Sequence, residues 1–255
     1  MIDIDYNDLY FNKIYDNGTC PHLEECNRKN YEYGHTCYRA KIGKEYENAE
    51  IRIMFVGKEA PNESKSVTSP AKVREVRSDN RHYFGLYYTA LLILSDIVPN
   101  NTKQSTLVEH EGLEEQYCLT NYYKCAFKKK DEKDKIHGIA TNSKMKKYCP
   151  ILLTKEIDLL RPDIVVIQGK FTGKAFWDEK KGKLYEIVTT GQQIFPDSDK
   201  EEDITLYKYQ YRDTNKPMYI LWGFHPASSD FYKRGNTNNL EVLKKAIQVF
   251  KGDII

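Results

Sequence analysis

Ile51-Arg-Ile-Met-Phe-Val-Gly-Lys-Glu-Ala-Pro-Asn-Glu-Ser64 decides the fold: an apolar run passes directly into a glycine, a carboxylate and a proline. Five apolar residues between Ile51 and Val56, broken only by Arg52, predict a strand covered on both faces of an open sheet. Gly57 allows a tight reversal and Pro61 directs it. Ligands of open α/β sheets bind beyond the carboxyl ends of such strands, so Glu59 is delivered towards a site. An ordinary strand exit with a solvated Lys58–Glu59 pair explains the same residues.

Three further apolar runs repeat the pattern. Tyr117–Tyr123 predicts a second strand with Asn121 near its end, Asp163–Gln168 a third followed by Gly169, and Pro217–Trp222 a fourth leading into Gly223-Phe-His-Pro-Ala-Ser-Ser229. Between them, Leu86–Ile97 reads as a buried helix and Asn142 caps a helix running to about Leu160, which Pro162 ends. A short helix through Trp177 and an amphipathic helix over Leu240–Phe250 complete the set. Strands alternating with helices predict a three-layer α/β/α architecture with a short, mostly parallel, four-stranded sheet. Residues 178–216, with Leu206-Tyr-Lys-Tyr-Gln-Tyr211, read as a hairpin-like excursion carrying an acidic loop over Asp197–Asp203. The whole chain, 1–255, is expected to be one domain, with 1–50 a cysteine-bearing extension.

Charged residues make up 30% of the chain but the net charge is only +2, so bulk charge does not mark a nucleic-acid binder. Local basic stretches remain: Lys65, Lys72, Arg74, Arg77 and Arg81 in one polar segment, and Lys124, Lys128, Lys129 and Lys130 in another. No apolar run reaches the ~18 residues of a membrane span and the first residues lack the blocks of a signal peptide. A soluble, cytoplasmic protein is expected, without a membrane partner. In a reducing compartment the 6 cysteines point to a metal or cluster site in place of disulfides, although no Cys-x-x-Cys pair is present. Small buried thiols are the simpler explanation. A Walker-type phosphate loop is absent, which disfavours an α/β nucleotide hydrolase.

Glu59, Asn121 and His225 each follow a strand, and equivalent strand ends converge on one crevice. The order Phe-Val-Gly-Lys-Glu-Ala-Pro (55–61), Tyr-Phe-Gly (83–85), Thr-Asn-Tyr-Tyr-Lys-Cys (120–125), Cys-Pro-Ile-Leu (149–152) and His-Pro-Ala-Ser (225–228) resembles the uracil-DNA glycosylase superfamily. Its iron-sulfur branch, often called family 4, is the most similar, and the resemblance covers about residues 37 to 250. It implies that Phe84 stacks on an extruded base, Asn121 bonds its pairing edge and His225 donates to the pyrimidine O2. Gly57, Glu59 and Ala60 would form the turn that holds water and substrate near the sugar. These residue types suit the chemistry: a flipped base is read by a directional amide, and a preorganised donor improves it as a leaving group.

The resemblance also implies a [4Fe-4S] cluster on Cys26, Cys37, Cys125 and Cys149, with Cys20 as the alternative to Cys26 and zinc as the alternative occupant. Cys118 is expected in the core. DNA contacts would come from Lys124, Lys128 and Lys129, and from Phe231 as a wedge with Lys233 and Arg234 on phosphates. The protein is expected to act as a monomer on DNA, as a monofunctional hydrolase that excises uracil or a modified pyrimidine. Lys58 inserted in the usual Gly-Glu-Ala-Pro-Gly turn, and Asn62 at its last glycine, are departures. They leave open a defence enzyme acting on modified cytosine in phage DNA, or a non-catalytic nucleic-acid-binding relative.

Overall fold

The computed structural model describes residues 12–15, 20–26, 31–33, 40–57, 81–95, 112–124, 127–130, 136–139, 143–169, 183–196, 204–225, 233–234 and 237–254. In chain order its elements are α1 (Leu23–Cys26), β1 (Tyr31–Tyr33), β2 (Lys41–Ile42), β3 (Ile53–Gly57), α2 (Arg81–Leu94) and β4 (Tyr117–Asn121). There follow β5 (Phe127–Lys130), β6 (Ile136–Ile139), α3 (Ser143–Leu160), β7 (Ile164–Gln168) and β8 (Gln192–Phe195). The last are β9 (Thr205–Gln210), β10 (Pro217–Gly223), β11 (Lys233–Arg234), β12 (Thr237–Asn238) and α4 (Asn239–Ile254). The helix expected through Trp177, the cationic stretch of residues 62–80 and the acidic loop fall outside the described residues.

The main sheet has seven strands in the order β2-β4-β3-β7-β10-β9-β8, where four were expected. The four expected strands are its parallel centre, β4-β3-β7-β10. The three additional strands are antiparallel and lie at the edges. β2 is two residues long, too short for any periodicity to register. The hairpin of β8 and β9 is present as expected, but it extends the main sheet by pairing with β10. The basic stretch of Lys124–Lys130 includes β5, the central strand of a three-stranded sheet with β1 and β6.

Burial explains the arrangement. Ile53, Met54, Phe55 and Val56 are all buried, as are all five residues of β7, so both strands must be covered on both faces. Alternate side chains of the sheet enter two separate cores. Met54, Val56, Cys118, Val165 and Ile167 pack with Leu152, Leu153 and Ile157 of α3. Ile53, Phe55, Tyr117, Ile164 and Val166 pack with Leu91 of α2 and Leu243 and Ile247 of α4. Helices thus cover both faces, as the three-layer expectation required. Each such side chain contributes about 1.5–3 kcal/mol of burial, which is why the central strands cannot exchange with the edges.

The connections create a crevice. The chain leaves β3 towards β4 on one side, and leaves β7 towards β10 on the other. Neighbouring strands whose connections depart in opposite directions open a gap beyond their carboxyl ends, the usual ligand position in this architecture.

Candidate active site

Gly57 and Asn121 end the adjacent parallel strands β3 and β4 and are paired in register. A β-carbon built on Gly57 would stand 2.6 Å from Oδ1 of Asn121, so this position must lack a side chain while Asn121 keeps its present orientation. Gly57 is not among the residues with a positive φ. The glycine therefore provides room for Asn121, a different role from the backbone reversal expected of it. The amide of Tyr122 donates to the Gly57 carbonyl at 2.8 Å, holding the two strand ends together beyond the last ladder pair.

The other half of the crevice is formed by β7 and β10. The Gly169 amide donates to the Gly223 carbonyl at 2.9 Å, and the Trp222 indole N–H donates to the Gly169 carbonyl at 3.2 Å. Gly169 has φ +106°, a conformation that favours glycine, and its position lies 3.7 Å, as a hypothetical β-carbon, from Cβ of His225. His225 is partly buried two residues after β10, and burial lowers its pKa below the ordinary histidine value. Its imidazole is consequently neutral near pH 7, the state that donates one hydrogen bond without carrying charge into the site. Three spacings of ~4.8 Å separate β4 from β10, so roughly 14 Å lies between the two strand ends. A small, mainly apolar cavity lined by Thr89, Gln168, Gly223 and Phe224 opens at the same ends, on the α2 side.

Asn121 and Thr120 point to opposite faces, as consecutive strand residues must. Thr120 is buried and donates from Oγ1 to Oε2 of Glu156 on α3 at 2.7 Å. Nζ of Lys124 donates to the same Oε2 at 2.5 Å and to Thr120 Oγ1 at 2.6 Å. Oε1 of Glu156 accepts from the Tyr15 hydroxyl at 2.7 Å and from the Ala40 amide at 3.0 Å. Lys124 and Glu156 are both fully buried. Lys124 is thus removed from the expected phosphate contacts: its charge is consumed by Glu156 in the interior, where an unpaired ammonium would be costly. The sequence held one signal for this arrangement, an acidic residue on the apolar stripe of α3 between Leu152 and Leu160.

Cys20, Cys26 and Cys149 are buried in the core on the α3 side. Burial above all, with a smaller contribution from the neighbouring Cys20, pushes the Cys26 thiol up to about 11 and the Cys149 thiol to about 12, and Cys26 also contributes to the rise at Cys149. The two cysteines weighed as alternatives therefore both lie within electrostatic range of Cys149. The Lys124 amide donates to Cys149 Sγ at 3.4 Å. Soft, buried sulfur donors with an N–H directed at one of them are what a thiolate-bound centre uses. Among the described residues, no group of three or more histidine, cysteine or acidic side chains is placed to hold an ion. α1 docks on α3 nearby, where the His22 ring stacks on Tyr148 at 4.0 Å and His22 Nδ1 lies 3.2 Å from Glu25 Oε1. Cys118 is buried in the core as expected, its thiol pushed well up by burial.

Glu59, Ala60, Cys37, Cys125 and Phe231 lie outside the described residues. Phe84 falls in the first turn of α2, Lys128 and Lys129 on β5, and Lys233 and Arg234 on β11; for these the backbone alone is described. No described helix is long and apolar enough to cross a membrane.

Residues 43–251 match the family model of the uracil DNA glycosylase superfamily. The match spans most of the chain, all four parallel strands and both strand-end pairs described above. The protein belongs to the uracil DNA glycosylase superfamily. A comparison with curated proteins returned no match.

Proposed function

We propose that the protein is a monofunctional DNA glycosylase that extrudes a pyrimidine nucleotide and hydrolyses its N-glycosidic bond, leaving an abasic site. The observation that carries this reading is the pairing, within one superfamily fold, of Asn121 held against Gly57 with a neutral His225 beyond the opposite strand. Asn121 offers an acceptor and a donor to the pairing edge of the base. As the bond from the base nitrogen to C1′ lengthens, its electron pair passes to the base and negative charge gathers on O2. The His225 N–H stabilises that charge without giving up its proton. Water adds its oxygen to C1′ and releases a proton, and the base leaves as an anion that is protonated in solvent. Glu59 orients the water or offsets the positive charge on the sugar, and Phe84 stacks on the base.

Cys26, Cys37, Cys125 and Cys149, with Cys20 in place of Cys26 as a variant, would hold a [4Fe-4S] cluster, or zinc. Its role is structural, fixing the segment before β2 to α3. Lys128, Lys129, Lys233 and Arg234 would meet phosphates, and Phe231 would fill the gap left by the extruded base.

Lys58, between Gly57 and Glu59, favours a second reading in which the protein binds DNA without excising a base. The test separates the two. Purified protein is incubated with single- and double-stranded DNA carrying uracil, and separately with DNA carrying glucosylated hydroxymethylcytosine, then treated with alkali. Strand breaks in uracil DNA that are lost in His225→Ala support a repair-type glycosylase. Breaks only in the modified DNA assign a defence role against phage. Binding without breaks in either overturns the glycosylase reading for these substrates.

A further inference from the structure

We infer that the buried Lys124–Glu156 pair is a positioning device that sets the orientation of Asn121 through Thr120. This rests on the reading of Asn121 as the residue that recognises the base. The geometry is a clamp on five consecutive residues. Thr120 is tied by its hydroxyl to Glu156, Tyr122 by its amide to Gly57, and Lys124 by its ammonium to Glu156 and by its amide to Cys149. Asn121 stands inside this clamp, on the opposite face, with its Oδ1 in space that a side chain at position 57 would fill.

Glu156 accepts four hydrogen bonds, two on each oxygen. Its Oε2 takes the two donors from the end of β4, and its Oε1 the two from Tyr15 and Ala40 in the segment preceding the glycosylase-like core. One carboxylate therefore fixes the end of the recognition strand against both α3 and the N-terminal segment. Burying an ion pair is a poor way to gain stability, since an apolar pair of similar volume commonly does as well. A charged, fully bonded network instead specifies one geometry, because any displacement of Thr120 leaves a buried charge undersatisfied. A side chain that must present a donor and an acceptor to a pairing edge needs that kind of support.

The test uses the full chain carrying ¹⁵N-labelled asparagine. Thr120→Val removes the link to Glu156 while leaving the ion pair; the double variant Lys124→Met/Glu156→Leu replaces the pair by apolar residues, and serves if the first fails to fold. The readouts are the Asn121 side-chain amide resonance, assigned by its loss in Asn121→Asp, and the excision rate on uracil DNA divided by that on otherwise identical cytosine DNA. In folded variants the Asn121 signal is expected to shift or broaden, and the discrimination ratio to fall by about tenfold to a hundredfold. An Asn121 resonance at its original position in a folded variant, with discrimination unchanged, overturns the positioning role. If the unaltered protein excises neither base, the glycosylase reading fails for these substrates, while the resonance still decides whether Glu156 positions Asn121.

Discussion

Oδ1 of Asn121 occupies the space a β-carbon on Gly57 would need, with only 2.6 Å between them. Gly57→Ala therefore displaces the Asn121 side chain from the crevice. The atom that must yield is the end of one side chain and neither residue is fully buried, so the loss of stability is small, about 0.5 kcal/mol. The larger effect is on recognition: excision from uracil DNA should fall roughly a hundredfold, since a shift of about 1 Å at a reacting centre has that consequence. Single-turnover kinetics on protein shown to be folded by circular dichroism measures it.

Glu156→Ala leaves the Lys124 ammonium buried without its carboxylate, and strips Tyr15, Ala40 and Thr120 of an acceptor. Removing one partner of a buried pair typically costs about 3–5 kcal/mol. Urea unfolding should show a midpoint displaced to lower denaturant with an unchanged slope, as expected for lost stability in a fold of the same compactness. A loss of under about 1 kcal/mol would contradict the fully buried pair.

Burial disfavours the imidazolium of His225, so its neutral form persists below the ordinary histidine value of 6.5. If the neutral form is the active one, excision rates remain level as pH falls through that value and decline only at lower pH. That acid limb should be absent from the residual activity of His225→Ala. Stability has the same sign: below about pH 6.5 an unfolded histidine takes up a proton that the folded one resists, so His225 favours unfolding progressively until its depressed pKa is reached. An acid limb centred above 6.5 would contradict the neutral-donor role.

Cys26 and Cys149, raised to about 11 and about 12, are thiols at neutral pH when no metal is bound. Binding a metal requires their deprotonation, so uptake releases protons and strengthens as pH rises. Protein purified without oxygen should carry iron with broad visible absorbance if the centre is a cluster, or zinc without colour. Cys149→Ser should reduce metal content severalfold. Full absorbance in that variant would exclude Cys149 as a ligand.

Much of the architecture was legible along the chain. Runs of apolar residues identify β3, β4, β7 and β10 because a strand buried on both faces has no polar positions to hide among. The helices expected over Leu86–Ile97, from Asn142 to about Leu160 and over Leu240–Phe250 correspond to α2, α3 and α4: the first is visible in the density of its apolar residues, the other two in apolar positions that repeat at the helical period. The polar residues that follow those strands, Asn121 and His225, could be picked out because parallel strands deliver their carboxyl ends to one side.

What the sequence by itself determined, then, was local: which segments must be buried, at what period, and which polar groups stand at their ends. Only the tertiary structure decided the rest. Two-residue β2 and the paired edge β8–β9 join the main sheet through backbone hydrogen bonds that have no side-chain period. The glycine at 57 is required by a side chain 64 residues away in the chain, brought beside it by strand register. Lys124, a basic residue among basic residues, changes from an expected phosphate contact to an interior ion because Glu156 meets it 32 residues later across the packed face of α3. Charge and burial are properties of a neighbourhood, and neighbourhoods exist only once the chain has folded.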